Sequence, residues 1–571
     1  MQKLFTANQI KKIDEQAIKK YRIPATVLME NAATNITNQI IKYFNEKNIS
    51  YSNRHFALDA VSPVKTPLMA SLLKHQPKIA EQVRNDGSTV VRKIAIFCGT
   101  GNNGGDGLVV ARQLSTDFEI TVFMIGDLEK MTPETQTNFK IANSIAQIKI
   151  IKIENIETVK KLKLNFDCII DAMIGVGFEG SLRPLISEIV KKINYTKSLK
   201  IAIDVPTGFN SDRGLEISKS EIQNILKPDL TVAILGAKIG MYNNFKTNIC
   251  GEIRVANLAI GGTIADRNCN NYLLEKCDIE HFIEKRNSNT NKFDYGKVVI
   301  IAGSETMPGA ASLTANAAIR AGAGNVFLFS PKIHPSISPH IIAETVSKTS
   351  DGTIHPENFD YLNSKCQKAD AIIFGPGIGQ NSETLSMIRK LIFANLNQKI
   401  VVDADALSVL NSEDILNENV VLTPHLGEFV RIVSGDQNPS RIIRGKIEKK
   451  KFEFLEQIVT KMNCTILLKG STTVIYNGQD FYWNIFGNAG MATAGSGDVL
   501  AGIIAAILVK PNVKYLNSGK NTSTVTLKKF TQRVAIASLI HSLSGDFYAE
   551  NFGEETLSAS DLIDCMKFVL K

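Results

Sequence analysis

The sequence predicts an α/β protein built from two units, and three observations carry this prediction. Short apolar runs that end in small or polar residues alternate with helical patterns, which is typical of parallel sheets buried on both faces. The alternation breaks between about residues 259 and 294 and then restarts, so we expect a domain boundary there. The chain has 571 residues, 44% hydrophobic and 21% charged, a composition typical of a globular protein with a sizeable core.

Charge and cysteine patterns exclude several classes of protein. The net charge of +9 comes from dispersed residues, and the densest basic cluster, at 446–451, is typical of a solvated helix face. The eight cysteines lie far apart without a C-x-x-C pair, which indicates a reducing compartment. No signal peptide is evident, and the longest apolar run, at 499–509, is too short to span a bilayer. We therefore expect a cytoplasmic protein that binds neither nucleic acid nor membranes.

The N-terminal unit begins with two predicted helices. Thr6 and Gln9 form a capping-box pattern ahead of apolar residues at helical spacing, and a second helix is predicted from about Ala25 to Phe44. Residues from about 48 to 92 lack a regular period, and we interpret them as an insertion of uncertain order. From residue 93 onward, the predicted strands are KIAIFC, ITVFMIG, CIIDAMIG, KIAIDVPTG and LTVAILG.

The second unit repeats the same alternation of strand and helix after the break. The unit begins where short apolar runs return. We do not interpret its similarity to the first unit as an internal duplication. The predicted strands are KVVIIAGS, NVFLFSP, AIIFGPGIG, IVVDADA, VVLTPH, TILLKG and TVIYN.

A glycine-rich loop follows the first long strand of the N-terminal unit. Residues 98–112 read CGTGNNGGDGLVVAR and open a helix, whose N-terminal N–H groups favour an anion. Gly99, Gly101 and Gly104 match G-x-G-x-x-G, and Asp127 follows a plausible second strand. A dinucleotide site of the Rossmann type is therefore one interpretation. A tight turn that needs glycine only for its geometry is another.

Three polar side chains in this loop favour a different site. The loop contains amide and carboxylate oxygens from Asn102, Asn103 and Asp106. A loop that binds pyrophosphate does not need an aspartate at this position. Such oxygens suit a hard cation.

The loop and its neighbours carry a family resemblance. Together with MENAA (29–33), DAMIGVGFEGSLRP (171–184) and AIDVPTGFN (202–210), it resembles the NAD(P)H-hydrate epimerase family of the YjeF N-terminal type over about residues 1–260. The resemblance implies a homodimeric, Rossmann-like three-layer domain that interconverts R and S hydrates of NAD(P)H and binds a potassium ion. The implied potassium ligands are Asn103, Asp171 and Thr207. The implied substrate-binding residues are Asn102, Asn103, Gly104, Gly105, Asp106, Gly175, Val176, Gly177, Phe178, Glu179, Gly180, Ser181 and Asp204, the last at the reacting ring.

The chemistry of the residues agrees with this resemblance. Asp171 and Asp204 follow strands, and open α/β sheets place their sites at the carboxyl ends of strands. Epimerisation needs reversible opening at the hydrated carbon, which a carboxylate assists as an acid or a base. Lys238 is a secondary candidate, and capping of a following helix is the alternative role for either aspartate. Two departures from the family are Ala33 in place of glycine and the insertion at 48–92.

A second glycine-rich segment lies near the C-terminus. In AGSGD, Gly495 and Gly497 free the backbone so that several N–H groups gather on one anion at the start of an apolar helix. Asp498 would stand beside that anion and accept a proton from a hydroxyl being phosphorylated. A glycine turn with a capping aspartate is the alternative. The sequence contains neither a G-x-x-x-x-G-K-[ST] loop nor the kinase H-R-D and D-F-G pair.

Seven ordered motifs around this segment carry a second resemblance. NKFDYGKVVIIAGS, MPGAASLTANAAIRAGAG, FGPGIG, VVDADAL, VLTPHLGEF, LLKGSTTVI and AGSGD resemble the ADP-dependent NAD(P)H-hydrate dehydratase family, with its ribokinase-like fold, over about residues 275–571. The resemblance implies Asp498 as the base, with Asp403 and Glu428 as magnesium or water ligands. Ala311, Gly377, His425 and Asp498 would contact the hydrate. Lys469, Gly470, Ser471, Thr472, Thr473 and Gly497 would hold ADP.

Together these patterns predict a fused enzyme that repairs hydrated NAD(P)H. The epimerase domain would occupy 1–262 and the dehydratase domain 275–571, in a homo-oligomer. One alternative is a sugar or vitamin kinase fused to an NAD-binding Rossmann domain, and the other is a vestigial nucleotide-sensing protein. Departures from the dehydratase pattern include Leu426, Ala494 and two long segments, at 434–452 and 510–532. His425 lies in a turn, where a purely structural histidine is also common.

Overall fold

The chain divides into two compact units in its computed structural model. One unit is Leu4–Cys269, and the other is Asn270–Lys571 together with Met1–Lys3. The structure describes residues 1–47, 49–51, 90–214, 222–243, 248–258, 260, 264, 269–283, 286, 288–511 and 522–570.

The N-terminal unit is built on a parallel sheet of seven strands. Their order is β11-β9-β8-β7-β4-β5-β6. The strands in this part of the chain are β1 (Gln2–Phe5), β2 (Ser50–Tyr51), β3 (Val90–Val91), β4 (Lys93–Cys98), β5 (Glu119–Ile125), β6 (Ile148–Ile153), β7 (Cys168–Ala172), β8 (Leu199–Ile203), β9 (Leu230–Ile234), β10 (Ala237–Lys238) and β11 (Glu252–Ala256).

Helices cover both faces of this sheet. Along β4, Ile94 and Ile96 pack into one apolar core and Ala95 and Phe97 into the other, because successive side chains of a strand point to opposite faces. The helices are α1 (Ala7–Lys19), α2 (Ala25–Glu46), α3 (Asn102–Leu114), α4 (Pro133–Asn143), α5 (Ile156–Lys161), α6 (Pro184–Asn194) and α7 (Ile239–Tyr242).

Several sequence predictions for this unit are confirmed. Thr6 and Gln9 form the capping box of α1, and all five predicted strands are present. The sequence interpretation missed β6 and β11, which are short and partly exposed. Most of the insertion predicted at 48–92 lies outside the described residues, and its two ends pair in parallel through β2 and β3.

The C-terminal unit contains ten strands in one sheet, ordered β12-β21-β20-β19-β18-β17-β16-β13-β14-β15. The strands are β12 (Asn271–Leu273), β13 (Lys297–Ile301), β14 (Asn325–Ser330), β15 (Ile342–Thr345), β16 (Ala371–Phe374), β17 (Lys399–Val402), β18 (Val420–Leu422), β19 (Thr465–Leu468), β20 (Thr473–Tyr476) and β21 (Phe481–Asn484).

The prediction of parallel strands is wrong for one member of this sheet. β20, the predicted strand TVIYN, runs antiparallel to both β19 and β21. The connections at 469–472 and 477–480 are too short for the crossover that parallel neighbours need, so each forms a hairpin. The predicted α/β class, with mostly parallel sheets, is confirmed.

An almost wholly buried helix crosses the core of this unit. In α15, only Gly497 and Asp498 are not buried, and Gly502 lets it approach α9 so closely that a Cβ there would lie 2.2 Å from the carbonyl oxygen of Thr314. The helices are α8 (Asp278–Phe282), α9 (Pro308–Arg320), α10 (Phe359–Cys366), α11 (Ser382–Ala394), α12 (Leu426–Ser434), α13 (Arg441–Lys449), α14 (Lys451–Met462), α15 (Ser496–Val509), α16 (Thr522–Phe552) and α17 (Ala559–Val569).

Two general features complete the fold. Across the described part of the chain, no helix combines the length and the apolar character that crossing a bilayer requires. All eight cysteines carry free thiols, and every one except Cys277 is buried.

Candidate active sites

Two glycines of the first loop, Gly99 and Gly104, are required by backbone contacts. A Cβ on Gly104 would lie 1.9 Å from the carbonyl oxygen of Gly99, and a Cβ on Gly99 would lie 2.1 Å from that of Met173. The first contact lies within the loop, and the second packs the loop against the segment that follows β7. These two glycines are therefore explained without a dinucleotide, whereas a Cβ on Gly101 would meet nothing within 4 Å.

Asp127 does not fit the Rossmann interpretation. Its side chain is exposed, accepts a hydrogen bond from the N–H of Glu129 at 3.2 Å and pairs with Lys130 at 3.4 Å. It therefore caps its own short turn and is already engaged there, whereas a ribose-binding acid would face the glycine loop.

Asp171 and Thr207 form the buried floor of the first site. Thr207 donates to the two carboxylate oxygens of Asp171 from its N–H and from its hydroxyl, both at 2.8 Å. The N–H of Met173 donates to Oδ1 at 3.1 Å. Burial raises the pKa of Asp171 to about 6, although these hydrogen bonds oppose the rise. The Asp171 carboxylate therefore links the segment after β7 to the segment after β8. It does not cap a helix, so the capping role suggested for it is wrong.

Asn103 carries the clearest sign of a missing ligand. Its Oδ1 and Nδ2 are both buried, and neither has a hydrogen-bond partner within the described residues. Buried amide groups are normally satisfied, so an unpaired one needs an explanation. Gly175 faces this side chain: a Cβ there would lie 3.4 Å from Cγ of Asn103 and 3.5 Å from Oδ2 of Asp204.

Asp204 is held in a strained position by a buried lysine. Its φ of +68° lies in the left-handed region, which is unusual for a residue other than glycine. The ammonium of Lys238 is fully buried and donates to Oδ1 of Asp204 and to the carbonyl oxygens of Ile234 and Gly236. The N–H of Ile234 also donates to Oδ1, at 3.0 Å, which leaves Oδ2 to face Gly175. The capping role is wrong for Asp204 as well.

Two further carboxylates face this pair. Burial raises the pKa of Asp106 well above its usual value, and the charges of Asp204 and Asp14 add to the rise. Burial also raises the pKa of Asp14 to about 6, with the charge of Asp204 adding and that of Lys238 opposing. The sequence interpretation missed Asp14, although it shares the buried face of α1 with Ile10 and Ala17 at helical spacing.

The proposed substrate loop lies at the edge of the first site. Val176 is tied down because its carbonyl oxygen accepts a hydrogen bond from Ser211 at 3.3 Å, and Gly180 turns with a φ of +80°. Gly177, Glu179, Gly180 and Ser181 are exposed, as is Asn102, whereas Gly104 and Gly105 are buried.

The second site is centred on the first turn of α15. Gly495 precedes the helix with a φ of +88°, and Asp498 occupies the first turn without a capping hydrogen bond. The capping alternative for Asp498 is therefore wrong. His541, which the sequence interpretation missed, contacts this turn. Its Nε2–H donates to the carbonyl oxygen of Ser496 at 3.0 Å, and burial lowers the pKa of the imidazole to about 4.

Lys469 connects the charged groups of the second site. Its ammonium lies 2.8 Å from Oδ1 of Asp403 and 4.0 Å from Oε2 of Glu428. A Cβ on Gly497 would lie 3.5 Å from the Lys469 ammonium and 3.8 Å from Oδ2 of Asp403, so this cluster abuts the turn. Burial opposes the charge of Lys469, but Asp403, Glu428 and Asp498 hold its pKa above the usual value.

Burial and charge tune Asp498 to the neutral range. Burial raises its pKa to about 7, the charge of Asp403 adds to the rise, and the charge of Lys469 opposes it. A carboxylate that titrates near neutral pH is well suited to exchange a proton with a hydroxyl.

Both ring nitrogens of His425 contact the first turn of the helix that follows it. Its Nδ1 accepts the N–H groups of Gly427 and Glu428, while its own N–H donates to Oε2 of Glu428 at 2.8 Å, so it caps α12. The turn role suggested by the sequence is therefore present, and Nε2 lies 3.5 Å from Oε1 of Glu428. A backbone bridge joins His425 to Lys469, which brings the TPH and LKG segments together.

The other sequence-predicted residues of this unit differ in burial and in backbone geometry. Ala311 is fully buried in the apolar core, and Gly377 adopts a φ of +67° where a Cβ would lie 3.0 Å from the carbonyl oxygen of Met307. The hydroxyl of Thr473 donates to the carbonyl oxygen of Gly470 at 3.4 Å. Gly470 and Ser471 are exposed, and Thr472 is half-buried.

Family models match both units. The model described as YjeF-related protein N-terminus matches residues 25–240, and that described as NAD(P)H-hydrate dehydratase matches residues 298–567.

Three curated relatives are each named bifunctional NAD(P)H-hydrate repair enzyme. The protein from Moorella thermoacetica is 29% identical, covering 100% of this chain and 96% of its own length. Those from Hyperthermus butylicus and Archaeoglobus fulgidus are each 31% identical, covering 83% and 82% of this chain and 83% and 88% of their own lengths.

Two solved structures resemble about half of the chain. A ribokinase-like superfamily protein from Enterococcus faecalis is 26% identical and covers 52% of this chain and 96% of its own, with a TM-score of 0.43. An ADP/ATP-dependent NAD(P)H-hydrate dehydratase from Bacillus subtilis, co-crystallised with ATP and Mg²⁺, is 24% identical. It covers 52% of this chain and 97% of its own, with a TM-score of 0.40.

Proposed function

The chain belongs to the family of bifunctional NAD(P)H-hydrate repair enzymes, and from this membership we propose which residues perform each of its two reactions. Its function is the repair of hydrated NAD(P)H by epimerisation and dehydration. This membership excludes the alternative of a sugar or vitamin kinase fused to an NAD-binding domain. We assign the epimerase to the unit at 4–269 and the dehydratase to the unit that contains 270–571.

The epimerase site is assigned to Asn103, Gly175 and Asp204, which lie close together. The unpartnered amide of Asn103 carries this proposal, because it is buried and faces the carboxylate of Asp204 across a glycine. The loops at 102–106 and 175–181 would hold the hydrate with its hydroxyl-bearing carbon at Oδ2 of Asp204. That oxygen would take the proton of the hydroxyl as the ring opens and return it on closure, whichever face is reformed.

A potassium ion fits the residues beside this site. Asn103, Asp171 and Thr207 supply amide, carboxylate and hydroxyl oxygens, which are the donors that hard cations prefer. The empty hydrogen-bonding capacity of Asn103 supports the fit. When bound, the ion would supply a fixed positive charge near the substrate. The ammonium of Lys238, which donates to Oδ1, would hold the Asp204 carboxylate in position.

The dehydratase site is the cluster of Asp498, Lys469 and Asp403. Asp498 would accept the proton of the hydrate's hydroxyl as the oxygen attacks the terminal phosphorus of ADP and AMP departs. The carbon–oxygen bond then breaks, phosphate leaves with the bonding electrons, and loss of the neighbouring ring proton restores the double bond. The pKa of about 7 for Asp498, in the first turn of α15, is the observation that carries this assignment.

Nucleotide and metal would approach the same turn. Residues 469–473 and Gly497 would hold ADP, with the Lys469 ammonium near the phosphates. Magnesium fits the carboxylates of Asp403 and Glu428 in chemistry, and one oxygen of Asp403 already accepts from Thr423 and Lys469. When bound, magnesium would neutralise charge on the phosphates. His425 and Gly377 would position the hydrate.

The cellular setting is part of the proposal. Seven buried free thiols suit a reducing cytoplasm, and the resemblance of the N-terminal unit to a dimeric family supports a homo-oligomer.

The test uses the full chain with purified R and S hydrates and ADP. Recovery of the near-ultraviolet absorbance of the reduced nicotinamide ring reports dehydration, and chromatography of the two epimers without ADP reports epimerisation. We expect the wild type to consume both epimers. Asp204→Asn should consume only the S epimer, and Asp498→Asn should consume neither while still interconverting them. Failure of the wild type to restore NAD(P)H would refute the proposal.

A further inference from the structure

A second cavity opens next to the dehydratase cluster on the side of His425. It has a volume of about 410 Å³, and its walls include His425, Arg431, Gln437, Asn438 and Arg444. The wall residues come from α12, from α13 and from the turn between them. This turn belongs to the segment at 434–452, which is longer than the family pattern needs. The cavity wall thus includes a residue assigned to the hydrate and none of the residues assigned to ADP.

Arg431 stands between this cavity and a smaller one. It also lines a cavity of about 110 Å³ with Asp405 and Glu428, beside the dehydratase cluster. Arg431 is half-buried, and its guanidinium has neither a hydrogen bond nor an ion pair among the described residues. Its N–H groups are therefore free to bind an anion that enters either cavity.

Arg444 and two amide side chains face the same space. Nε of Arg444 donates to Glu448 at 2.7 Å, which leaves both Nη groups without partners in the part of the chain that the structure describes. Nε2 of Gln437 donates to the carbonyl oxygen of Ser408 at 3.1 Å, which fixes this side chain on the wall. No acidic side chain belongs to the cavity wall in the described structure.

One guanidinium without a partner and one that is paired with Glu448 through Nε alone, with amide neighbours, favour an anion with several oxygens. A guanidinium binds phosphate through two parallel N–H groups, which gives both affinity and orientation. The dinucleotide hydrate carries a pyrophosphate and, in its NADP form, an additional ribose phosphate. ADP is a poorer candidate, because Lys469, Gly470 and Gly497 lie outside this cavity wall.

We propose that Arg431 and Arg444 form a subsite that binds a phosphate group of the hydrate, beyond the contact at His425. The inference rests on the proposed function, since it assumes that the hydrate reaches the cluster from the side of His425. It assigns recognition of the dinucleotide to the 434–452 segment. These arginines therefore act on substrate binding and leave the chemical step to Asp498.

The test compares Arg431→Gln, Arg444→Gln and the double variant with Arg441→Gln. Arg441 also lies on α13, but it is exposed and does not line the cavity. Initial rates with the S hydrates of NADH and of NADPH, at saturating ADP, give kcat and KM for each. We expect roughly a tenfold or larger rise in the KM for hydrate, because each lost charged contact weakens binding by about that factor. The kcat, the KM for ADP and the Arg441→Gln control should stay within about twofold.

The two hydrates identify which phosphate is bound. A rise confined to the NADPH hydrate assigns the ribose phosphate, and an equal rise for both assigns the pyrophosphate. A rise in the KM for ADP instead, or unchanged KM values for both hydrates, overturns the inference. Binding of each hydrate without ADP, measured calorimetrically, must show the same loss of affinity. If the wild type itself does not turn over the hydrates, the proposed function is wrong. If the wild type is active and the arginine variants have unchanged KM values, only the subsite proposal is wrong.

Discussion

The ammonium of Lys469 lies 2.8 Å from Oδ1 of Asp403, at the ends of two strands that β18 separates in the sheet. This ion pair places one positive and one negative charge beside Asp498, and the two act on its pKa in opposite directions. Burial is the largest cause that raises the pKa of Asp498 to about 7, and the two charges of the pair modify this value. The dehydratase predictions follow from this arrangement.

Replacement of Asp498 should separate the two activities. In Asp498→Asn the proposed base is lost, so we expect ADP-dependent dehydration to fall by about 10²–10⁴-fold. Epimer exchange should remain within about twofold of the wild type, since its residues lie in the other unit. Chromatography of the epimers and the absorbance assay check both values in one preparation. Loss of both activities would contradict independent sites.

The pH dependence of dehydration should report the ionisation of Asp498. Its pKa in the folded protein is about 7, so the base form rises as the pH increases through neutrality. We expect kcat/KM for the S hydrate to increase about tenfold per pH unit below that value and to level off above it. The same raised pKa means that the folded state holds a proton between about pH 4 and 7, so stability falls across that window as the pH increases. A rate that decreases from pH 6 to 8 would exclude Asp498 as the base.

Asn103 offers a test of the potassium site that leaves the fold intact. Because its side-chain amide has no partner in the described structure, Asn103→Ala should change the free energy of unfolding by less than about 1 kcal/mol. Potassium stimulation of epimer exchange should be lost. Asp171→Ala is the comparison, since it removes three hydrogen bonds and should lower both stability and activity. Undiminished potassium dependence in Asn103→Ala would exclude the amide as a ligand.

The buried Lys238–Asp204 pair should dominate the stability of the N-terminal unit. Lys238→Met leaves the Asp204 carboxylate buried without its counter-ion, which costs about 3–5 kcal/mol. The double variant Asp204→Asn/Lys238→Met should recover part of that loss while remaining inactive as an epimerase. Thermal unfolding followed by circular dichroism measures the difference. Equal stability of the single and double variants would show that the charge pair is not coupled.

Two glycines of the first loop make a matched pair. A Cβ on Gly104 would meet the backbone oxygen of Gly99 at 1.9 Å, whereas a Cβ on Gly101 would meet nothing within 4 Å. Gly104→Ala should therefore destabilise the loop by about 2–4 kcal/mol and abolish epimer exchange. Gly101→Ala should retain the fold, because its φ of −85° suits any residue. A stable, active Gly104→Ala variant would refute the packing argument.

The sequence predicted the strands well, because apolar runs that end in small residues directly reflect burial on both faces. It could not predict that β20 runs antiparallel, since an apolar run has the same composition in either direction. It located Asp171 and Thr207 separately, but their contact at 2.8 Å depends on how two strands are paired. The sequence did not predict Asp14 and His541 as site residues. Each lies in a helix whose spacing of apolar residues is that of a helix packed on a hydrophobic core.

The helix that carries Asp498 has a second consequence. Because nearly all of α15 is enclosed by neighbouring helices and strands, the reactive carboxylate has no independent hinge by which it could swing away. Any loss of packing around α15 therefore changes the position of Asp498 relative to the bound phosphate. Heat should consequently abolish dehydration at the temperature at which that unit unfolds.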